Sequence, residues 1–176
     1  MCRRLQILSA LTLLMLAITS ARADGAVARE DQFKAAYLFN FVKFVEWPAS
    51  AVSDAVTVCF LGGGGVYDAL VQGIDGKRVG TRRLQARQLD DSATAEHCDA
   101  LYLAAGSVTH LSMVEALPVL TISDAHEISV RGGMIELFTD RQRLRFMINA
   151  ENAQRAGLRI SSDLLKLAAG VRRLEH

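Results

Sequence analysis

The run Ala55 to Leu61 is β-branched and apolar, stops at four consecutive glycines, Gly62 to Gly65, and is followed by Val66 to Ile74, which reads as a short helix. Strand, tight turn and helix in that order open a βαβ unit. The alternation continues. Arg78 to Leu89 is a more polar strand region, and Asp99 to Ala104 carries Leu101, Tyr102 and Leu103 in a buried-strand pattern. Ser107 is placed to cap a helix running to Leu117, and Pro118 to Ile122 is the next strand. Such alternation predicts an α/β fold with a largely parallel sheet flanked by helices on both faces.

Two further regions complete the pattern. Met134 to Thr139 and Leu144 to Asn149 flank Asp140-Arg141-Gln142-Arg143, and Leu144, Phe146 and Ile148 alternate with Arg145, Met147 and Asn149. This predicts an antiparallel hairpin with one buried face. Glu151 to Arg155 is a short helix ended by Gly157, Leu158 to Ile160 a final strand, and Ser161 or Ser162 caps a last helix through Leu174. Ahead of the first strand, Glu30 to Glu46 reads as a helix ended by Pro48, with Phe33, Tyr37, Phe41, Phe44 and Val45 at helical spacing. Its apolar stripe is wide, which fits a core helix or one that also meets a second copy of the chain through Phe33, Tyr37 and Phe41.

The first residues are Met1-Cys2-Arg3-Arg4, then an apolar run from Leu5 to Ile18, then Ala21-Arg22-Ala23. That is the layout of a secretory signal peptide, residues 1–23, cleaved after Ala23. The apolar run is shorter than the roughly 20 residues a membrane-spanning helix requires. Residues 24–176 are then one domain in an oxidising compartment. The leader holds Arg3, Arg4 and Arg22 and no acid, so the rest of a chain with 20 basic and 19 acidic residues is slightly acidic, and nothing favours nucleic acid. Cys59 and Cys98 remain, and an even count outside the cytoplasm favours one disulfide over two buried thiols.

The search for chemistry returns little. The glycine run admits a phosphate-binding reading, but Tyr67 stands at the third position of the dinucleotide fingerprint and no Gly-Lys-Ser/Thr follows, so a structural turn is expected. His97, His110, His126 and His176 have no metal-binding spacing, and no Cys-x-x-Cys or Gly-x-Ser-x-Gly occurs. The Asp90-Asp91 pair lies in a turn. No catalytic residue, metal site or cofactor is expected.

Three segments taken together resemble the YfiR-like family of periplasmic regulators: Phe33-Lys34-Ala35-Ala36-Tyr37-Leu38-Phe39-Asn40-Phe41 running to Trp47-Pro48, Gly132-Gly133-Met134-Ile135, and Ala156-Gly157-Leu158-Arg159-Ile160-Ser161-Ser162. The resemblance implies a non-enzymatic periplasmic protein that binds the periplasmic part of an inner-membrane diguanylate cyclase and holds it inactive, lowering cyclic di-GMP and biofilm growth. It also implies a homodimer, and the spacing of Cys59 and Cys98 is similar to that of a family disulfide. Relatives can carry a second cysteine pair in the hairpin region, where this chain has Gly133 and Asp140. For the partner surface, Glu151, Leu158, Arg159 and Ser161 are the candidates, because charged and apolar residues alternate there as in a contact with an apolar anchor and a polar rim. The competing readings are a periplasmic small-molecule-binding sensor acting on another membrane partner, and a hydrolase.

Overall fold

The computed structural model describes residues 25, 27–73, 76–90, 93–115 and 117–173, so the expected leader lies outside the described residues. Among these, no helix is long and apolar enough to cross a membrane. Helix α1 spans residues 27–41. The strands that follow are β1 (Val45–Glu46), β2 (Ala55–Leu61), β3 (Arg78–Val79), β4 (Arg82–Leu89), β5 (Ala100–Leu103), β6 (Leu120–Ser123), β7 (Ile135–Asp140), β8 (Arg143–Asn149), β9 (Arg159–Ile160) and β10 (Gly170–Arg172). The remaining helices are α2 (Gly64–Gly73), α3 (Ala150–Arg155) and α4 (Ser162–Leu167). Eight strands form one sheet in the order β10-β8-β7-β6-β5-β2-β4-β3, and β1 pairs with β9 in a separate two-stranded ribbon. The run β4-β2-β5-β6-β7 is parallel, while β7 and β8 form the expected antiparallel hairpin. The hairpin turns through Arg141 and Gln142, both at positive φ, as a two-residue loop between right-twisted strands requires.

Because strand side chains alternate, the sheet divides the core in two. Val56, Val58 and Phe60 of β2, with Ala100, Tyr102 and Ile122 of its neighbours, face a large cluster that also holds Leu38 of α1, Leu70 of α2, Ala153 of α3 and Leu164 of α4. Cys59, Leu61, Leu101 and Leu103 face the other way and meet Val114 and Val119. All four α-helices therefore lie on one face. The second face is covered by a 3-10 helix, Ala105–Val114, in place of the α-helix expected from Ser107 to Leu117, and its start carries no side-chain cap. Gly106, Ser107, Val108, Thr109 and Ser112 are weak α-formers, and that density explains the tighter helix.

Two ends depart from expectation. The first helix stops at residue 41 rather than 46, because Val45–Glu46 pairs antiparallel with Arg159–Ile160 and Ser161 N–H donates to Phe44 O at 2.9 Å. Trp47, restricted by Pro48, could not stay helical in any case. The last helix ends at Leu167 rather than Leu174, and Gly170–Arg172 instead adds β10 alongside β8 in parallel register. Leu158 is not in β9; its side chain belongs to the core.

The amino ends of the parallel strands are tied by Asp99, 4% exposed. Its carboxylate accepts from Thr57 N at 2.7 Å and pairs with Arg82, and its carbonyl accepts from Leu120 N and from Trp47 Nε1, both at 2.9 Å. The Arg82 guanidinium also lies 5.8 Å from the centre of the Trp47 ring. Next to Asp99, Cys98 forms a disulfide with Cys59 across 39 residues, with the Arg87 guanidinium 3.2 Å from the Cys98 sulfur. Two stability outcomes are expected. Arg82→Met leaves a buried carboxylate without its cation and lowers unfolding free energy by about 3–5 kcal/mol. Cys59→Ser opens the covalent loop and lowers it by about 2–5 kcal/mol. Urea unfolding of the oxidised protein measures both, and unchanged midpoints would contradict them.

Candidate functional site

In open parallel sheets, ligands bind beyond the carboxyl ends of strands where the strand order reverses. Here that point lies between β2 and β5, and the chain's own side chains close it. Gly62 and Gly63 both have positive φ, and a Cβ on Gly63 would stand 2.7 Å from Cε1 of Tyr102, so packing explains the glycines. The carboxylate of Asp31 sits where a Cβ on Gly65 would be, against the first turn of α2, the position a phosphate would take. Lys34, 9% exposed, pairs with Asp124 at 2.7 Å and with Glu30 at 2.9 Å. Burial works against its charge, but the hydrogen bonds to Asp124 and Glu30 outweigh it and hold the ammonium above its usual pKa. Burial, then the nearby charge of Asp124, pushes the Tyr102 phenol up, so it stays neutral. His97 and His126 are exposed, and His110 Nδ1 lies 3.2 Å from Ser107 O. Among the described residues, no group of three His, Cys, Asp or Glu could hold a metal ion.

The surface around β9 is built differently. Asn149 caps α3, its side-chain oxygen accepting from Asn152 N at 2.9 Å, and its amide donates to Ser129 O at 2.7 Å. Asn152 donates to Gly133 O at 3.2 Å, so two buried amides clamp α3 to the loop before the hairpin. Gly157, at positive φ, ends the helix, and Leu158 N donates to Ala153 O at 2.8 Å. The turn drives the Leu158 side chain inward, to 2% exposure, so Leu158 supports the surface without forming it. Ser161 is likewise a structural residue: its hydroxyl caps α4 by accepting from Asp163 N at 3.1 Å.

Glu151 and Arg159 do reach solvent. Glu151 pairs with Arg155 at 2.9 Å on α3, and Arg159 pairs with Glu46 across the β1–β9 ribbon. Beside Arg159 lies a hollow of about 400 Å³ also lined by Ala150, Gln154, Gly157, Ile160 and Leu165. On the same short helix as Leu165, Leu167 is 70% exposed. Sequence reasoning missed Leu165 and Leu167, because it carried the last helix on to Leu174 and so gave Leu167 helical neighbours it does not have.

The aromatic residues proposed for self-association separate. Phe41 is buried, its ring 5.0 Å from that of Phe146. Tyr37 is half-buried, with its ring 5.6 Å from that of Phe41 and its hydroxyl donating to Leu144 O at 3.1 Å. Phe41 is thus a core residue and cannot contribute to an interface in this fold. Phe33, 56% exposed, is the most available of the three to a partner.

A structure described as a conserved domain protein from Vibrio cholerae O1 biovar El Tor strain N16961 superposes with a TM-score of 0.56 at 13% identity, over 81% of this chain and 60% of that one. This chain thus spans less than two thirds of that protein, and the likeness establishes the α/β fold. A domain from Streptococcus pneumonia solved with L-Trp superposes with a TM-score of 0.47 at 13% identity, over 66% of this chain and 55% of that one. The YfiR/HmsC-like family matches residues 31–169, which run from the first helix to the end of α4 and take in the disulfide, the hairpin and the β9 surface. The protein belongs to the YfiR/HmsC-like family.

Proposed function

We propose that this protein is a non-enzymatic periplasmic regulator that binds the periplasmic part of an inner-membrane diguanylate cyclase and holds it inactive, lowering cyclic di-GMP and biofilm formation. Family membership supports the partner class. The observation that carries the surface is the hollow beside β9, lined by the apolar Ala150, Ile160 and Leu165 and by Arg159, which pairs with Glu46, with the Glu151–Arg155 pair on the adjoining α3. Fully desolvated centres carry most of the energy of a protein contact, while exposed charges around them set association rate and partner choice. Leu165 and Leu167 form the anchor; Glu151 and Arg159 belong to the rim.

The mechanism is a binding equilibrium. A regulator suppresses the active cyclase only to the extent that it binds the inactive conformation more tightly. For a cyclase balanced between its states, about 100-fold preference leaves roughly one molecule in a hundred active. Leu167→Asp places a charge at the centre of the contact without touching the core, and affinity for the cyclase's periplasmic domain should fall roughly 30-fold or more. Arg159→Glu, at the rim, should chiefly slow association. Cellular cyclic di-GMP should rise in both, with melting temperatures unchanged. Wild-type binding and signalling in both variants would place the contact elsewhere.

The dimer rests on Phe33. An exposed phenylalanine on α1 is suited to a self-complementary contact with a second copy. Light scattering at micromolar concentration should find a dimer that Phe33→Asp converts to monomer. A monomeric wild type would dispose of the dimer, and a dimeric variant would dispose of this surface.

A further inference from the structure

A second concavity, of about 610 Å³, lies between α1 and α2, well apart from β9. The two helices flank it side by side in the same direction: Asp31 of α1 touches Gly65 of α2 at one end, and at the other Lys77, just past α2, stands 5.1 Å from the centre of the Phe39 ring of α1. From Asp31 to Phe39 is about 12 Å along a helix. Its walls are small side chains, among them Ala28 and Ala36 on α1 and Ala69 and Gly73 on α2. Volume and apolar walls match those of a small-molecule site.

The charges are segregated. Asp31 and Asp68 stand at the amino end of the groove, and Lys77 at the carboxyl end, where the Lys43 ammonium lies 5.1 Å from the same Phe39 ring. Among the described residues, Asp68, Lys43 and Lys77 make no ion pair with an opposite charge. The macrodipoles of the parallel α1 and α2 both have the opposite polarity, but each amounts to about half a charge against the full charges of two carboxylates, and the amino end of α2 already meets Asp31. The full charges decide the orientation.

We propose that this groove binds a short zwitterionic peptide with small side chains, its ammonium toward Asp31 and Asp68 and its carboxylate toward Lys77. An extended backbone advances about 3.3 Å per residue, so three or four residues span the two ends. A single amino acid is too short to reach both. The small residues in its walls leave room for a backbone carrying methyl groups.

The test is calorimetry on the purified protein alone, without the cyclase, so its outcome is separate from that of the proposed function. The probes are Ala-Ala-Ala with free termini, the same peptide N-acetylated or C-amidated, free alanine, and decanoate. Saturable binding of the free tripeptide is expected, weakened about three- to tenfold by capping either end. Asp68→Asn should lessen the effect of acetylation, Asp31 remaining, and Lys77→Met should remove that of amidation, both residues being exposed and unable to disturb the core. Equal binding of capped and free peptides, no saturable binding at millimolar concentration, or tighter binding of alanine or decanoate than of the tripeptide would overturn the proposal.

Discussion

The burial of Asp99 is the constraint on which the rest of this structure depends. An ionised carboxylate taken out of water costs several kcal/mol unless charge and hydrogen bonds replace its hydration. Here the replacement comes from β2 through Thr57 N and from β4 through Arg82, while Asp99 N, donating to Thr57 O, holds the backbone of Asp99 beside β2. The carboxylate can be satisfied only when β2, β4 and β5 are in their native register. Cys98, one residue earlier, then lies within reach of Cys59, and the disulfide fixes covalently what the ion pair selects.

The consequence reaches the β9 surface through Trp47. Its indole donates to the Asp99 carbonyl, and the Arg82 guanidinium lies over its ring. This holds the residue that directly follows β1, so Val45–Glu46 is presented to Arg159–Ile160 as a ready partner. The ribbon then sets the Glu46–Arg159 pair and the start of α4, where Ser161 caps the helix. Exposed ion pairs like this contribute at most about 1 kcal/mol to stability. Their importance is geometric, because Arg159 lines the hollow beside Ile160 and Leu165, and Leu167 is exposed on the same short helix as Leu165. Helix α1 belongs to both halves of the molecule: it lines the groove against α2 and runs on into β1. A ligand in that groove whose affinity depends on the position of α1 is thermodynamically linked to whatever binds beside β9.

Much of this was legible in the sequence where local signals and burial agree. Ala55 to Leu61 is read correctly because a strand buried on both faces must be apolar throughout, and the glycines after it supply positive φ next to Tyr102. The hairpin and Gly157 are read for the same reason, since alternation and a positive-φ break are local properties. What was not legible depends on distant partners. Nothing local distinguishes Val45–Glu46 as strand from a last helical turn until Arg159–Ile160 is beside it, and Gly170–Arg172 becomes a strand only because β8 offers an edge. The same limit applies to the site. The alternation around Arg159 pointed to a candidate surface, but exposure decides which residues can touch a partner, and it moves Leu158 to the core and brings Leu165 and Leu167 forward.

If a partner docks beside β9 on an apolar centre with charged side chains around it, the contact must shield the backbone of that segment. Amide hydrogen exchange of the protein, alone and bound to the cyclase's periplasmic domain, tests this without altering a residue. Protection on binding should concentrate in residues 154–167 and at Val45–Glu46, with α2 and β4 unchanged. Protection centred on the α1–α2 groove, with residues 154–167 exchanging as in the free protein, would contradict it.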